Sequence, residues 1–248
     1  MSISSARAPA ASGWVSSNGS FFNTNWLTLS NETDPGEDSD LYQDQTGAWG
    51  YNLLAVTSRP ATNQSDVWRI GGPTNYTLLA SNLPVANMEG LLTVPLDTNY
   101  GPWAGKLIVG NEITNTLYSI DTNGMVETWN LGVPGFGIGG QTFLIVPTNQ
   151  DFYCQDSIWP PGQSYIRKVP PAFFPSQPGY ILILQCAELG QSYFVTKNAA
   201  WLVHWNGTVF ETWCLILSDL TEGPLDLPDD FDYVEKGVFA PIVIPPGP

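Results

Sequence analysis

Glu89, Gln141 and Glu235 each stand six residues before a proline (Pro95, Pro147, Pro241), near the head of a short apolar run: MEGLLTVP, GQTFLIVP and VEKGVFAP. Side chains that share one position in a repeated unit converge if the units close into a ring. Asn111, Glu112, Asp156 and Glu188 fall near the ends of the runs that follow and would meet the same rim. Carboxylates gathered around one axis repel each other unless a cation sits among them or some hold protons. Hard oxygen donors in such number suit Ca2+, which accepts about 6 to 8 oxygens in a loose geometry. The competing reading leaves these carboxylates pointing outward at strand ends, simply solvated.

Nucleophilic chemistry has little to work with. His204 is the single histidine and lies in WLVHW, where aromatic-flanked packing is its expected role, and there is no GxSxG. GFGIGG at 135–140 does not fit a phosphate loop within a βαβ unit and reads as a connection between repeats. Cys154, Cys186 and Cys214 are odd in number and widely spaced, which argues against a zinc site or a disulfide scaffold and for buried thiols. Trp14, Trp26, Trp49, Trp103 and Trp159 fall in expected loops or near strand ends. There, Trp14, Trp49, Trp103 and Trp159 are candidate stacking faces for a sugar or another flat ligand, the alternative being burial between repeats.

The elements that would position these groups follow from composition. Twenty-four Gly and 21 Pro suit many tight turns between short strands. Ten Trp, 10 Tyr and 11 Phe provide the packing surface of an ordered all-β domain. Acids outnumber bases 23 to 8, for a net charge of −15. That balance excludes phosphate-backbone binding, which Lys and Arg drive by releasing counterions. No apolar run is long enough for a membrane-spanning helix, and MSISSARAPAASGW lacks the apolar core of a secretory signal. Sequons at Asn18, Asn31, Asn63, Asn75 and Asn206 nonetheless point to an extracellular glycoprotein, with a cytoplasmic location as the alternative.

A period near 40 residues organises the chain. Its type unit is MEGLLTVP (88–95), KLIVGNE (106–112), TLYSID (116–121) and VETWNLG (126–132), with Asn123-Gly124 supplying positive φ angles for a hairpin turn. Second strands recur as NLLAVTS, DFYCQD and YILILQCAE, third strands as DVWRIG, SYIRKV and AWLVHWNG. Asn-Gly followed by Glu-Thr-Trp recurs at 206–213. These units predict four-stranded blades at about 40–84, 86–133, 139–178 and 179–218. A fifth would close the ring by pairing WLTLS (26–30) with the C-terminal VEKGVFAPIVI, leaving no open sheet edge. The expectation is a single β-propeller domain over 1–248, with five blades and six as the alternative. Residues 1–25 are expected to be irregular, 31–47 and 218–232 to be polar loops, and 245–248 to be a Pro-rich tail.

Over residues 86–220 the sequence resembles the propellers that include the NHL-repeat, SMP-30/gluconolactonase-like and strictosidine-synthase-like proteins. Met88-Glu89-Gly90-Leu91 through Pro95 looks like their Pro-Glu-Gly-type first strand, and KLIVGNE and TLYSIDTNG follow in the familiar order. The likeness is at the level of blades, which serve unrelated functions. The catalytic Asp of the SMP-30-like group has no assignable counterpart here. Three functions follow as expectations: a non-catalytic recognition or structural module that binds a glycan or another polar ligand, a calcium-dependent lactonase-like hydrolase, and a subunit of an extracellular protein assembly.

Overall fold

The computed structural model describes residues 11–15, 21–29, 39–59, 62–85, 88–111, 116–133, 136–157, 164–185, 197–219 and 236–241. Several strands in it are apolar on consecutive residues: LLAVTSR, LIVGN, TLYSI and YILILQ are buried almost without interruption. An antiparallel sheet with one wet face would alternate instead, so these sheets must be covered on both sides.

The strands are β1 (Ala11–Val15), β2 (Phe21–Thr28), β3 (Ser39–Gln43), β4 (Leu53–Arg59), β5 (Gln64–Gly72), β6 (Asn75–Leu83), β7 (Met88–Thr93), β8 (Leu107–Asn111), β9 (Thr116–Ile120) and β10 (Val126–Trp129). There follow β11 (Gly132–Val133), β12 (Phe136–Gly137), β13 (Thr142–Ile145), β14 (Gln150–Ser157), β15 (Ser164–Val169), β16 (Tyr180–Gln185), β17 (Lys197–Trp205), β18 (Phe210–Asp219) and β19 (Gly237–Pro241). All pairings are antiparallel. The helical runs among the described residues are short 3-10 turns at Thr98–Trp103 and Pro171–Phe173.

Five sheets result. The first is the β1–β2 hairpin, the second β3-β4-β5-β6 and the third β7-β8-β9-β10. The fourth has the order β13-β16-β17-β18 and the fifth β15-β14-β19, while β11 and β12 form a two-stranded link. Four apolar layers lie between them. Leu27 and Leu29 meet Ala55, Trp68 and Ile70 between the first and second sheets. Leu54 and Val56 meet Leu107, Val109 and Tyr118 between the second and third. Ile108 and Leu117 meet Phe143, Ile181, Ile183 and Trp201 between the third and fourth. Leu182 and Leu184 meet Phe152, Cys154 and Phe174 between the fourth and fifth. Successive residues of β8 and of β16 thus enter opposite layers, as the two-residue period of a strand requires. Each fully buried Leu or Ile contributes roughly 1.5–3 kcal/mol relative to exposure.

The units expected at 40–84 and 86–133 agree with the second and third sheets, but the later pairings differ. GQTFLIVP does not pair with DFYCQD: β13 skips the β14–β15 hairpin and pairs with β16, Phe143 opposite Ile183 and Leu144 opposite Leu182. YILILQ fills two apolar layers at once, which the more polar QDFYCQDS does not. The skipped hairpin takes the C-terminal strand instead, with Phe152 opposite Phe239. The expected pairing of WLTLS with VEKGVFAPIVI is therefore replaced among the described residues: β2 pairs with β1 and β19 with β14. Residues 11–15 and 21–28, expected to be largely irregular, form a hairpin. Ser39–Gln43, expected in a loop, is a strand held by β4. The tail and residues 220–232 lie outside the described residues.

The hairpin at 121–125 also departs from expectation. Gly124 has φ of 86°, whereas Asn123 stays at negative φ. Asp121 organises a longer loop, accepting the N–H groups of Asn123 and Met125 at 2.9 Å each.

An edge strand of each of four sheets adjoins one of another. β7 lies against β3 on one side and β13 on the other, and β13 also meets β19.

Candidate functional site

The starts of these four edge strands, a rim of the arrangement, carry Asp40 in β3, Glu89 in β7, Gln141 just before β13 and Lys236 just before β19. One hydrogen bond between neighbouring sheets and others within the sheets fix them. Asp40 Oδ1 accepts the N–H of Leu41 at 2.7 Å, and its Oδ2 accepts that of Gly90 at 3.1 Å, which ties β3 to β7. Gly90 has φ of 67°, and a Cβ there would lie 2.6 Å from the Gln141 carbonyl oxygen, so only glycine lets β7 approach residue 141 this closely. Gln141 donates its N–H to Leu184 at 2.8 Å, and the Lys236 carbonyl accepts from Gln155 at 3.0 Å.

The charges at this end are mixed. Desolvation of the half-buried Asp40 carboxyl raises its pKa above the ordinary 3.8, against the opposing pull of the Leu41 and Gly90 N–H groups and the positive charge of Lys236. Glu89 is half-buried opposite Gly110, and Lys236 is exposed. Two carboxylates, an amide and an ammonium can bind hydroxyls, amines and acceptor groups through charge-assisted hydrogen bonds.

Behind the rim lies a buried polar layer. Gln185 is fully buried, and its Oε1 accepts from Gly139 N and Trp201 Nε1, each at 3.2 Å. Asn111 is equally buried, its N–H donated to Gly139 at 2.9 Å. The glycine-rich connection thus crosses directly over the ends of β8 and β16.

Of the seven residues expected around an axial ion, Glu89 and Gln141 reach this rim. Asn111 lies beneath it with its side chain covered. Asp156 falls near the same end of β14, opposite Tyr165. Glu112, Glu188 and Glu235 lie outside the described residues. Among the described residues no group of three or more His, Cys, Asp or Glu side chains comes together.

Asp40 and Lys236 were not expected from the sequence. Asp40 has no proline six residues on, where Thr46 stands instead, so its run lacks the repeat signature. A four-strand unit nevertheless demands a strand before NLLAVTS, and SDLYQ is the segment available.

Of the expected stacking tryptophans, Trp49 and Trp103 are 2% and 0% exposed. Trp49 fills the layer between the second and third sheets, and Trp103 packs at 4.1 Å centroid distance on Phe210. Neither presents a ring face to solvent, because the indole is a large apolar group that fills the layer between two sheets. Trp14 lies in β1 and Trp26 in β2, and Trp159 is outside the described residues. Trp213, not singled out from sequence, is 41% exposed.

His204 stacks on Tyr180 with centroids 4.3 Å apart and planes 15° from parallel. It is far from the rim, at the opposite ends of β16 and β17. Cys154 is buried as expected, whereas Cys214 on the outer strand β18 is exposed, and Cys186 lies outside the described residues. The sequon residues Asn63, Asn75 and Asn206 are exposed near strand-connecting turns. Asn18 and Asn31 lie outside the described residues. No helix among the described residues is long and apolar enough to cross a membrane. No family model, no curated protein and no solved structure matches the chain.

Proposed function

We propose that this chain is a non-catalytic, extracellular recognition module built as a five-bladed β-propeller, and that it reads a polar ligand at one end of the propeller axis. Support for the propeller comes from five sheets separated by four apolar layers, with edge strands that adjoin in succession. The observation that carries the function is the placement of Asp40, Glu89, Gln141 and Lys236 at the starts of four neighbouring edge strands. Donors and acceptors of opposite charge set in a rigid frame favour binding through several directed hydrogen bonds. A hydrolytic role lacks support in the geometry, since the single imidazole stacks on Tyr180 at the other end of its sheet.

The reading is tested by screening the full chain on an array of immobilised neutral, amino and acidic glycans, with and without Ca2+. Retention of at least one class by the parent is expected, weakened tenfold or more in Asp40→Asn and Glu89→Gln variants whose circular dichroism is unchanged. Binding that both variants retain in full, or no binding by the parent, overturns the reading. Hydrolysis of a lactone by the parent would assign the chain to an enzyme instead.

A further inference from the structure

The fourth sheet carries aromatic side chains at the end away from the rim. Tyr180 opens β16, His204 lies opposite it on β17, and Glu211 lies opposite His204 on β18. Trp213 is two residues beyond Glu211, so the four side chains share one face of the sheet. Tyr180 and His204 are stacked, and Trp213 is tilted 37° against Tyr180 with ring centroids 6.0 Å apart. Tyr180 is almost buried and backs the group, while Trp213 remains 41% exposed on the outermost strand.

Polar groups border this shelf. Asn206, in the turn between β17 and β18, donates from Nδ2 to Glu211 Oε1 at 2.7 Å and accepts the N–H groups of Thr208 and Val209 at 3.0 Å. Glu211 is thereby held in one orientation, and its Oε2 has no partner among the described residues. His204 Nδ1 is buried and makes no hydrogen bond there.

We propose that this shelf is a second binding site, distinct from the axial rim, and that it takes a ring of a neutral oligosaccharide. A pyranose has an apolar C–H face, which fits the open face of an indole, and an equator of hydroxyls, which fits a fixed carboxylate. An anionic ligand would meet Glu211 on a chain of net charge −15, and a purely apolar one would leave that carboxylate desolvated. The shelf rests on the recognition reading of the chain, but on none of the rim residues.

The test is saturation-transfer NMR and calorimetry of the full chain with cellopentaose, maltopentaose and chitopentaose as separate probes. The parent is expected to bind one of them. Trp213→Ala is expected to weaken that binding at least tenfold, Trp213→Tyr to restore most of it, and Glu211→Gln to weaken it several-fold. Trp213 lies on an outer strand and is partly exposed, so thermal melts are expected to show these variants folded. If Trp213→Ala unfolds the chain, Glu211→Gln alone decides the matter. No binding of any probe, or full binding by folded Trp213→Ala, overturns the shelf. Array binding that depends on Asp40 and Glu89 while all three probes fail would leave the axial reading standing and remove only the shelf.

Discussion

The Asp40 carboxylate accepts the backbone N–H of Gly90 at 3.1 Å, joining the edge strands of two neighbouring sheets through a half-buried charged group. Burial dominates its ionisation and raises its pKa above 3.8, while Lys236 pulls the other way. The folded state therefore holds this proton more tightly than the unfolded chain does. It follows that Asp40's contribution to stability is present at low pH and is lost as pH rises from 3.8 through the folded pKa. Removing the cation should raise that pKa further. In Lys236→Met, NMR titration of the Asp40 carboxyl carbon is expected to show a higher midpoint than in the parent. An unchanged midpoint would separate the two residues.

Asp44 shows the opposite balance. Its carboxylate is 1% exposed at the end of β3 and accepts the Thr46 N–H and hydroxyl on Oδ1, and the Trp49 and Tyr51 N–H groups on Oδ2. Burial would raise its pKa, but these donors, with the Thr93 hydroxyl, outweigh it and hold the pKa below 3.8. Its stabilisation is thus complete above pH 3.8 and is lost as pH falls through the folded value. Asp44→Ala leaves the loop's donors unmatched and should cost about 2–4 kcal/mol at pH 7, an effect that shrinks in acid. Urea melts of parent and variant at pH 7 and pH 3 measure both parts.

A third expectation concerns the crossing of the glycine-rich connection over β8. A Cβ on Gly110 would lie 2.1 Å from the Gly140 carbonyl oxygen and 2.4 Å from that of Gly139, and backbone on both sides has no side chain to move aside. Gly110→Ala should therefore cost about 3 kcal/mol or more, or prevent folding. Gly72→Ala, where an added Cβ meets nothing within 4 Å, serves as the control and should change the denaturation midpoint little.

How much of this was legible in the sequence depended on how local the information was. The second and third sheets are meanders whose strands follow one another directly, so the apolar runs and turn residues define them. Partner choice in the fourth and fifth sheets was not legible, because β13 bypasses two strands and β14 pairs with a strand from the far end of the chain. Nothing in GQTFLIVP itself says which of the two candidate second strands will cover it. Glu89 and Gln141 were recoverable through their prolines, whereas Asp40 and Lys236 come near the same strand starts through tertiary placement alone. The tryptophans left stacking and burial both open for a related reason: position near a strand end does not tell whether another sheet lies over the ring, and for Trp49 and Trp103 one does.

The long-range pairing carries its own test. Phe239 on β19 lies 5.1 Å from Phe152 and 5.2 Å from Phe174, ring centroid to centroid, and these aromatics line the layer between the fourth and fifth sheets. If the C-terminal strand is part of the cooperative core, Phe239→Ala should destabilise the whole chain by about 2–4 kcal/mol, through lost burial and lost aromatic contacts. Val238, on the opposite face of the same strand, is 55% exposed, and Val238→Ala should cost well under about 1 kcal/mol. Guanidinium melts followed by both tryptophan fluorescence and circular dichroism distinguish the outcomes. A large, coincident shift for Phe239→Ala with little change for Val238→Ala is expected. Equal, small effects would mean that β19 is dispensable, and the β14–β19 pairing would have to be abandoned as a structural element.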